Sequence, residues 1–216
     1  MTDPTDNSTK VPRWIPSERF SHALVFAVDV HALQARKNTQ RDPYLSHLLA
    51  VASLVVEDGG TEDQAIAALL HDAAEDQGGR PRLEQIARDF GADVARIVDG
   101  CSDTLEQPKP PWHERKEAYL RRLRTEADDV RRVSIADKVH NARCTVVDLE
   151  SGKGWGPGFN AGPEDQQWYY EALLECFVET KTSSRHLPEF RELVRRLVAQ
   201  VVLSAKVGTR SQGEGH

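Results

Sequence analysis

Apolar positions recur at helical spacing along nearly the whole chain, and alternating β-branched runs bounded by turns are missing. The pattern therefore predicts an all-α fold. Ser17 is placed to open a first helix whose apolar stripe is Ala23, Phe26, Ala27 and Val30. A second helix is expected over 44–56, with Leu45, Leu48, Leu49, Ala52 and Val56 on one face. Thr61 and Gln64 have the spacing of a capping box, at the head of a helix that runs into His71 and Asp72. Short amphipathic helices over 83–90 and 92–99 are divided by Gly91. Residues 112–123 read as a charged, surface-type helix, 129–149 as a long and partly apolar one, and 164–180 and 188–207 as the last two. The Gly- and Pro-rich stretches at 77–81, 106–111 and 151–162 are long enough to be loops on the rim of a cleft. One domain over 13–207 is expected, with a disordered lead over 1–12 and a flexible tail over 208–216.

A chain of 216 residues is long enough to bury a real core as one domain. Its net charge of −6 argues against a general nucleic-acid binder, which carries a basic balance or stripe. A small polyphosphate ligand stays open, because a few basic residues and a metal reverse the local field. Cys101, Cys144 and Cys176 are scattered singly, which suggests a reducing compartment and neither a disulfide framework nor a cysteine zinc site. The N-terminal segment is polar, with no apolar signal core, and no run approaches the roughly 20 apolar residues of a membrane span. The expectation is a soluble, cytoplasmic protein with neither nucleic acid nor membrane as a partner; the pattern leaves its oligomeric state open.

The chemistry concentrates in residues 68–76, Ala-Leu-Leu-His-Asp-Ala-Ala-Glu-Asp. On one continuous helix, His71, Asp72, Glu75 and Asp76 would crowd a single end of the rod. Three carboxylates and an imidazole so close repel and desolvate one another unless a cation or a substrate compensates them. Three further segments bear on this one. His47 stands in an otherwise apolar helix start, where a histidine is either a satisfied core residue or a ligand. Asp137 sits in mid-helix beside Lys138 and four residues before Asn141, a costly place for an unpartnered carboxylate. Arg36 and Lys37 form a basic pair at a helix end, either a solvated C-terminal cap or a contact to an anionic ligand.

Taken together, His31-x-x-Gln34-x-Arg36-Lys37, Pro43-Tyr44-x-x-His47, His71-Asp72-x-x-Glu75-Asp76 and Ala136-Asp137-Lys138-x-x-Asn141-x-Arg143 form a recognisable series. The chain resembles the HD-domain metal-dependent phosphohydrolases, and within them the hydrolase domain of RelA/SpoT homologues, above all the small alarmone hydrolases. The resemblance covers residues 20–148 and implies an HD-domain helical bundle of roughly eight to ten helices. It also implies that His47, His71, Asp72 and Asp137 hold one divalent metal, usually Mn2+ in this family, and that Glu75 and Asp76 are the catalytic acidic pair. By the same resemblance Arg36 and Lys37 would lie against the base of a small-molecule nucleotide substrate. Asn141 would bond its ribose, Lys138 would offset phosphate charge, and Arg115 and Lys116 would reach the distal phosphates. The implied activity is manganese-dependent hydrolysis of the 3′-diphosphate of (p)ppGpp, giving GDP or GTP and pyrophosphate. The alternatives are hydrolysis of (pp)pApp, of another nucleotide phosphate ester such as the 2′-phosphate of NADPH, or a non-catalytic alarmone-binding HD domain. Trp155, Phe159, Trp168 and Tyr169 are expected either to line the substrate mouth or to pack internally.

Overall fold

The computed structural model describes residues 12–36, 42–156 and 160–213, with side chains as far as Ser204. Among the described residues there are ten helical segments and no strand: α1 (Glu18–Val30), α2 (Leu45–Glu57), α3 (Glu62–Leu70), α4 (Ala73–Asp76), α5 (Gly79–Phe90), α6 (Ala92–Cys101), α7 (Trp112–Leu123), α8 (Asp128–Glu150), α9 (Pro163–Glu179) and α10 (Leu187–Gly213). None of the described helices is long and apolar enough to cross a membrane. Lys37, Phe159 and residues 1–11 of the expected lead lie outside the described residues.

The local signals act as the sequence suggests. Ser17 accepts from the Arg19 N–H at the start of α1. The capping box at α3 is complete: Thr61 Oγ1 accepts from Gln64 N, and Gln64 Oε1 accepts from Thr61 N. Such a cap contributes about 1 kcal/mol, and here it fixes where α3 begins. Gly91, at φ +98°, adopts the left-handed backbone that lets α5 end and α6 start at once.

From Ala65 to Leu70 every side chain of α3 is fully buried. A helix that is apolar on all sides belongs in the middle of a fold, and α3 packs against α1, α2, α6 and α8. Its alanines let those neighbours approach closely, while Ile66, Leu69 and Leu70 each contribute about 1.5–3 kcal/mol by leaving water. Helix α8 is the other spine, packed by α2, α3, α6 and α10. The two spines bring the end of α3 and the middle of α8 together, and the start of α2 joins them. One apolar cluster runs without a break from Ala23 on α1 to Val201 on α10.

Four details depart from the pattern. The expected single rod through His71 and Asp76 is broken: α3 ends at Leu70 and the short α4 starts at Ala73. Asp72, at φ −96° and ψ −5°, turns the chain, and its carboxylate there faces His47 and His71. The expected loop at 77–81 is in part the first turn of α5, which begins at Gly79; Pro81 is tolerated there because N–H groups of a first turn have no helical acceptor. Helix α7 is not merely a surface helix, for Tyr119, Leu120 and Leu123 are buried. Helix α10 continues to Gly213, past the expected end at Val207, so the expected tail is helical over 208–213 while 214–216 lie outside the described residues. Gly208 alone costs about 1 kcal/mol against alanine, too little to stop a helix already nucleated by several packed turns.

Candidate metal centre and its cavity

His47 enters from the first turn of α2, His71 from the end of α3, Asp72 from the turn that follows and Asp137 from the middle of α8. Both imidazoles are buried, at 0% and 1% exposure. His47 Nε2 stands 3.1 Å from Asp137 Oδ1 and 3.7 Å from Asp72 Oδ2; His71 Nε2 stands 3.0 Å from Asp72 Oδ2 and 3.7 Å from Asp137 Oδ1. Donors bound to one cation at about 2.1 Å lie about 3 Å apart at right angles and about 4 Å apart when opposite. Donor atoms of His47, His71 and Asp137 all fall within 4.8 Å of one another, and Asp72 bridges the two imidazoles.

The residues fit a metal on a second ground. Neither His47 Nε2 nor His71 Nε2 has a hydrogen-bond partner, although both atoms are buried. His71 Nδ1 is 2.8 Å from the Ala68 carbonyl, to which it donates, so Nε2 carries the lone pair. Two lone pairs facing two carboxylates are mutually repulsive without a cation between them. Burial favours the neutral His71 ring, but Asp72 and Asp137 outweigh it and raise its pKa well above the ordinary value. Burial likewise opposes ionisation of the two carboxylates, yet His71 holds Asp72 low, and Lys138 with His47 holds Asp137 low. A divalent cation competes with the proton for the same lone pair.

Each carboxylate is held from behind. The Tyr44 hydroxyl donates to Asp72 Oδ2 at 2.5 Å. Asn141 Nδ2 donates to Asp137 Oδ1 at 2.5 Å and Lys138 Nζ to Oδ2 at 2.6 Å. The Arg36 guanidinium donates to Asn141 Oδ1 at 2.9 Å and lies over the Tyr44 ring. Main-chain bonds from Arg36 N to Asp42 O and from Tyr44 N to Gln34 O fix that segment beside α8. Arg36, Lys138 and Asn141, expected from sequence to meet the substrate, thus all face the cavity, and Asn141 also orients Asp137.

The acidic pair lies one turn on. Glu75 Oε2 accepts from the Asp103 N–H at 2.6 Å, and Lys109 Nζ lies 2.9 Å from Glu75 Oε1 and 3.4 Å from Asp76 Oδ1. Gln34 Nε2 donates to Asp76 Oδ2 at 2.8 Å. Burial, then the Asp72 and Asp103 charges, push the Glu75 carboxyl above its usual value despite Lys109. Arg115 and Lys116 both pair with Asp103, and Arg115 Nε donates to the Pro110 carbonyl at 2.9 Å. With side chains 11% and 17% exposed, they are not a solvated helix face. Burial lowers the Lys116 pKa despite Asp103.

A cavity of about 630 Å³ is lined by Arg36, Tyr44, Lys109, Arg115 and Lys116 together with the carboxylates of Asp72, Glu75, Asp76 and Asp137. That volume suits a nucleotide-sized ligand. Tyr169 is on the wall with the Lys116 ammonium 4.7 Å from its ring. Trp168 instead stacks on His113 at 4.1 Å and packs edge-on to Trp112, a packing role. Sequence reasoning missed Lys109, Asp103 and His140. The first two sit in a Pro-rich loop without periodicity. The signal for His140 was its position three residues after Asp137 within a motif already singled out.

A family model described as HD domain matches residues 23–152. The guanosine-3′,5′-bis(diphosphate) 3′-pyrophosphohydrolase MESH1 of Xenopus tropicalis is 37% identical over 123 residues, 56% of this chain and 66% of that protein. Its Homo sapiens counterpart is 33% identical over 173 residues, 77% of this chain and 87% of that protein. The solved structure of a metazoan orthologue of SpoT, described as hydrolysing ppGpp, superposes with a TM-score of 0.68 at 25% identity, covering 85% of this chain and 97% of that one.

Proposed function

The chain belongs to the HD domain family and is homologous to the MESH1 and SpoT-type ppGpp hydrolases, and from that membership we propose that it is a manganese-dependent 3′-pyrophosphohydrolase of (p)ppGpp. The observation that carries the reading is the pair of buried, unpartnered Nε2 atoms of His47 and His71 facing Asp72 and Asp137, beside an acidic pair and under a basic wall. A simple phosphate monoester needs no cavity of this size and no Arg36–Tyr44 face. A pure binder needs no Glu75–Asp76 pair beside its metal. The free thiols Cys101, Cys144 and Cys176 support a reducing, cytoplasmic setting.

In this reading His47, His71, Asp72 and Asp137 hold the manganese, which when bound supplies Lewis acidity toward a phosphoryl oxygen and acidifies a water. Arg36 lies against the base face with the Tyr44 ring behind it, as a planar guanidinium does on a purine. Lys37, which lies outside the described residues, is assigned to the same role only by its place next to Arg36 in the sequence, and Lys138 offsets phosphate charge. Lys109, Arg115 and Lys116 face the remaining phosphates and neutralise charge that builds on them. Water attacks the inner phosphorus of the 3′-diphosphate, the bond from that phosphorus to the 3′ oxygen breaks, and pyrophosphate departs. Glu75, its carboxylate fixed by the Asp103 N–H, takes the proton from the attacking water. The proton that Glu75 takes up passes to the 3′ oxygen as it leaves by way of Asp76, which shares Lys109 with Glu75 and is held by Gln34.

Purified protein with manganese is to be incubated in parallel with ppGpp, pppGpp, ppApp and NADPH. Pyrophosphate released with GDP or GTP from the guanine nucleotides is the expected result. Release from ppApp at a higher kcat/KM would move the base preference to adenine, orthophosphate from NADPH alone would move the reaction to a 2′-monoester, and no product from any of the four would overturn the proposal.

A further inference from the structure

His47 offers one ring nitrogen to the metal carboxylates, and its other nitrogen is not left to water. Nδ1 of His47 lies 2.7 Å from Nδ1 of His140, with the rings 4.9 Å apart, both carried on helices that pack directly, α2 and α8. Two imidazole nitrogens at that distance share one proton: one donates and the other accepts. With Nε2 of His47 free to face Asp72 and Asp137, its Nδ1 carries the hydrogen, and His140 Nδ1 is the acceptor. The remaining hydrogen of His140 is then on Nε2, 3.8 Å from the Cys144 sulfur, one turn further along α8. His71 achieves the same end with a backbone carbonyl, that of Ala68. For His47 the partner on Nδ1 is His140, while the Pro43 and Tyr44 carbonyls that precede it accept main-chain N–H groups.

We infer that His140 is a positioning residue for the metal centre: as hydrogen-bond acceptor to His47 it fixes the tautomer and ring plane that turn Nε2 toward Asp137. The inference rests on the metal-centre reading above and assigns to a residue outside the ligand set the role that carboxylates and carbonyls play behind metal-bound histidines elsewhere. His140 touches neither the nucleotide nor the reacting atoms in this reading. Its effect passes through His47 alone.

The test is a calorimetric titration of manganese into metal-stripped protein, for the native chain, His140→Leu and His140→Asn. Asparagine restores an acceptor oxygen near the position of Nδ1, whereas leucine fills the space without one. His140→Leu is expected to weaken manganese binding 10- to 100-fold, with the melting temperature of the metal-free protein held and with binding by His140→Asn returning to within a few-fold of native (about threefold). If leucine prevents folding, His140→Ala carries the same comparison, since it removes the acceptor without forcing an apolar group beside His47. Native-like affinity in the leucine or alanine variant overturns the inference, and so does an equal loss in the asparagine variant. A native chain that binds no manganese would overturn the metal-centre reading itself, which this titration separates from the role of His140.

Discussion

Asp72→Ala is expected to leave a folded protein that no longer retains manganese and whose pyrophosphate release falls by about a thousandfold or more. Asp72 is the only one of the four candidate ligands within 3.7 Å of both imidazoles that is not itself buried in the core: its side chain is 21% exposed. Its removal frees the Tyr44 hydroxyl, which faces the cavity and can turn to water. By contrast, removing Asp137 would strand Lys138 without its partner in a largely enclosed site, a loss of about 3–5 kcal/mol. Asp72 is therefore the cleaner probe. Metal content by elemental analysis, together with the melting temperature of the metal-free protein, checks it. Retained stoichiometric manganese in a folded Asp72→Ala chain would remove Asp72 from the ligand set.

Glu75→Gln is expected to do the opposite to binding and nearly the same to rate: manganese affinity stays within a few-fold, and kcat falls about 10²- to 10⁴-fold. Glutamine preserves the oxygen that accepts from the Asp103 N–H and keeps the side chain's volume; its amide nitrogen cannot accept from Lys109, which keeps Asp76 as its partner. What is lost is the group that accepts a proton. Because Glu75 only orients and deprotonates water in this account, KM for ppGpp is expected to move less than kcat. A variant with near-native kcat would pass the base to Asp76, whose carboxylate shares Lys109 with Glu75. Comparing the two substitutions separates metal holding from proton handling, which a loss of activity alone does not.

The sequence made some of this legible and hid the rest for physical reasons. Thr61 and Gln64 could be read because a capping box is a contact between near neighbours. Gly91 could be read because the left-handed conformation narrows the choice of residue. His71-Asp72, His47 and Asp137 were legible as a series of motifs, and the structure brings their donor atoms together from three separate segments. The break between α3 and α4 was not legible: Ala-Leu-Leu-His-Asp-Ala-Ala-Glu-Asp has continuous helix propensity, and nothing in that run marks the turn at Asp72. Nor were the partners of Glu75. Lys109 and the Asp103 N–H come from a loop 34 and 28 residues away, where no periodicity marks a contact. Arg115 and Lys116 read as a charge run because their compensation by Asp103 is a tertiary event. His140 lay inside a motif already quoted, yet its partner is 93 residues distant.

The central claim is that this cavity cleaves the 3′-diphosphate from a guanine nucleotide with a metal held by His47, His71, Asp72 and Asp137. The most direct measurement follows the products of ppGpp in ¹⁸O-labelled water, with metal-stripped protein before and after manganese is restored. The account predicts no turnover before and equimolar GDP and pyrophosphate after, with the label in the pyrophosphate. Turnover by the stripped protein, or label in the 3′ hydroxyl of GDP, would contradict it.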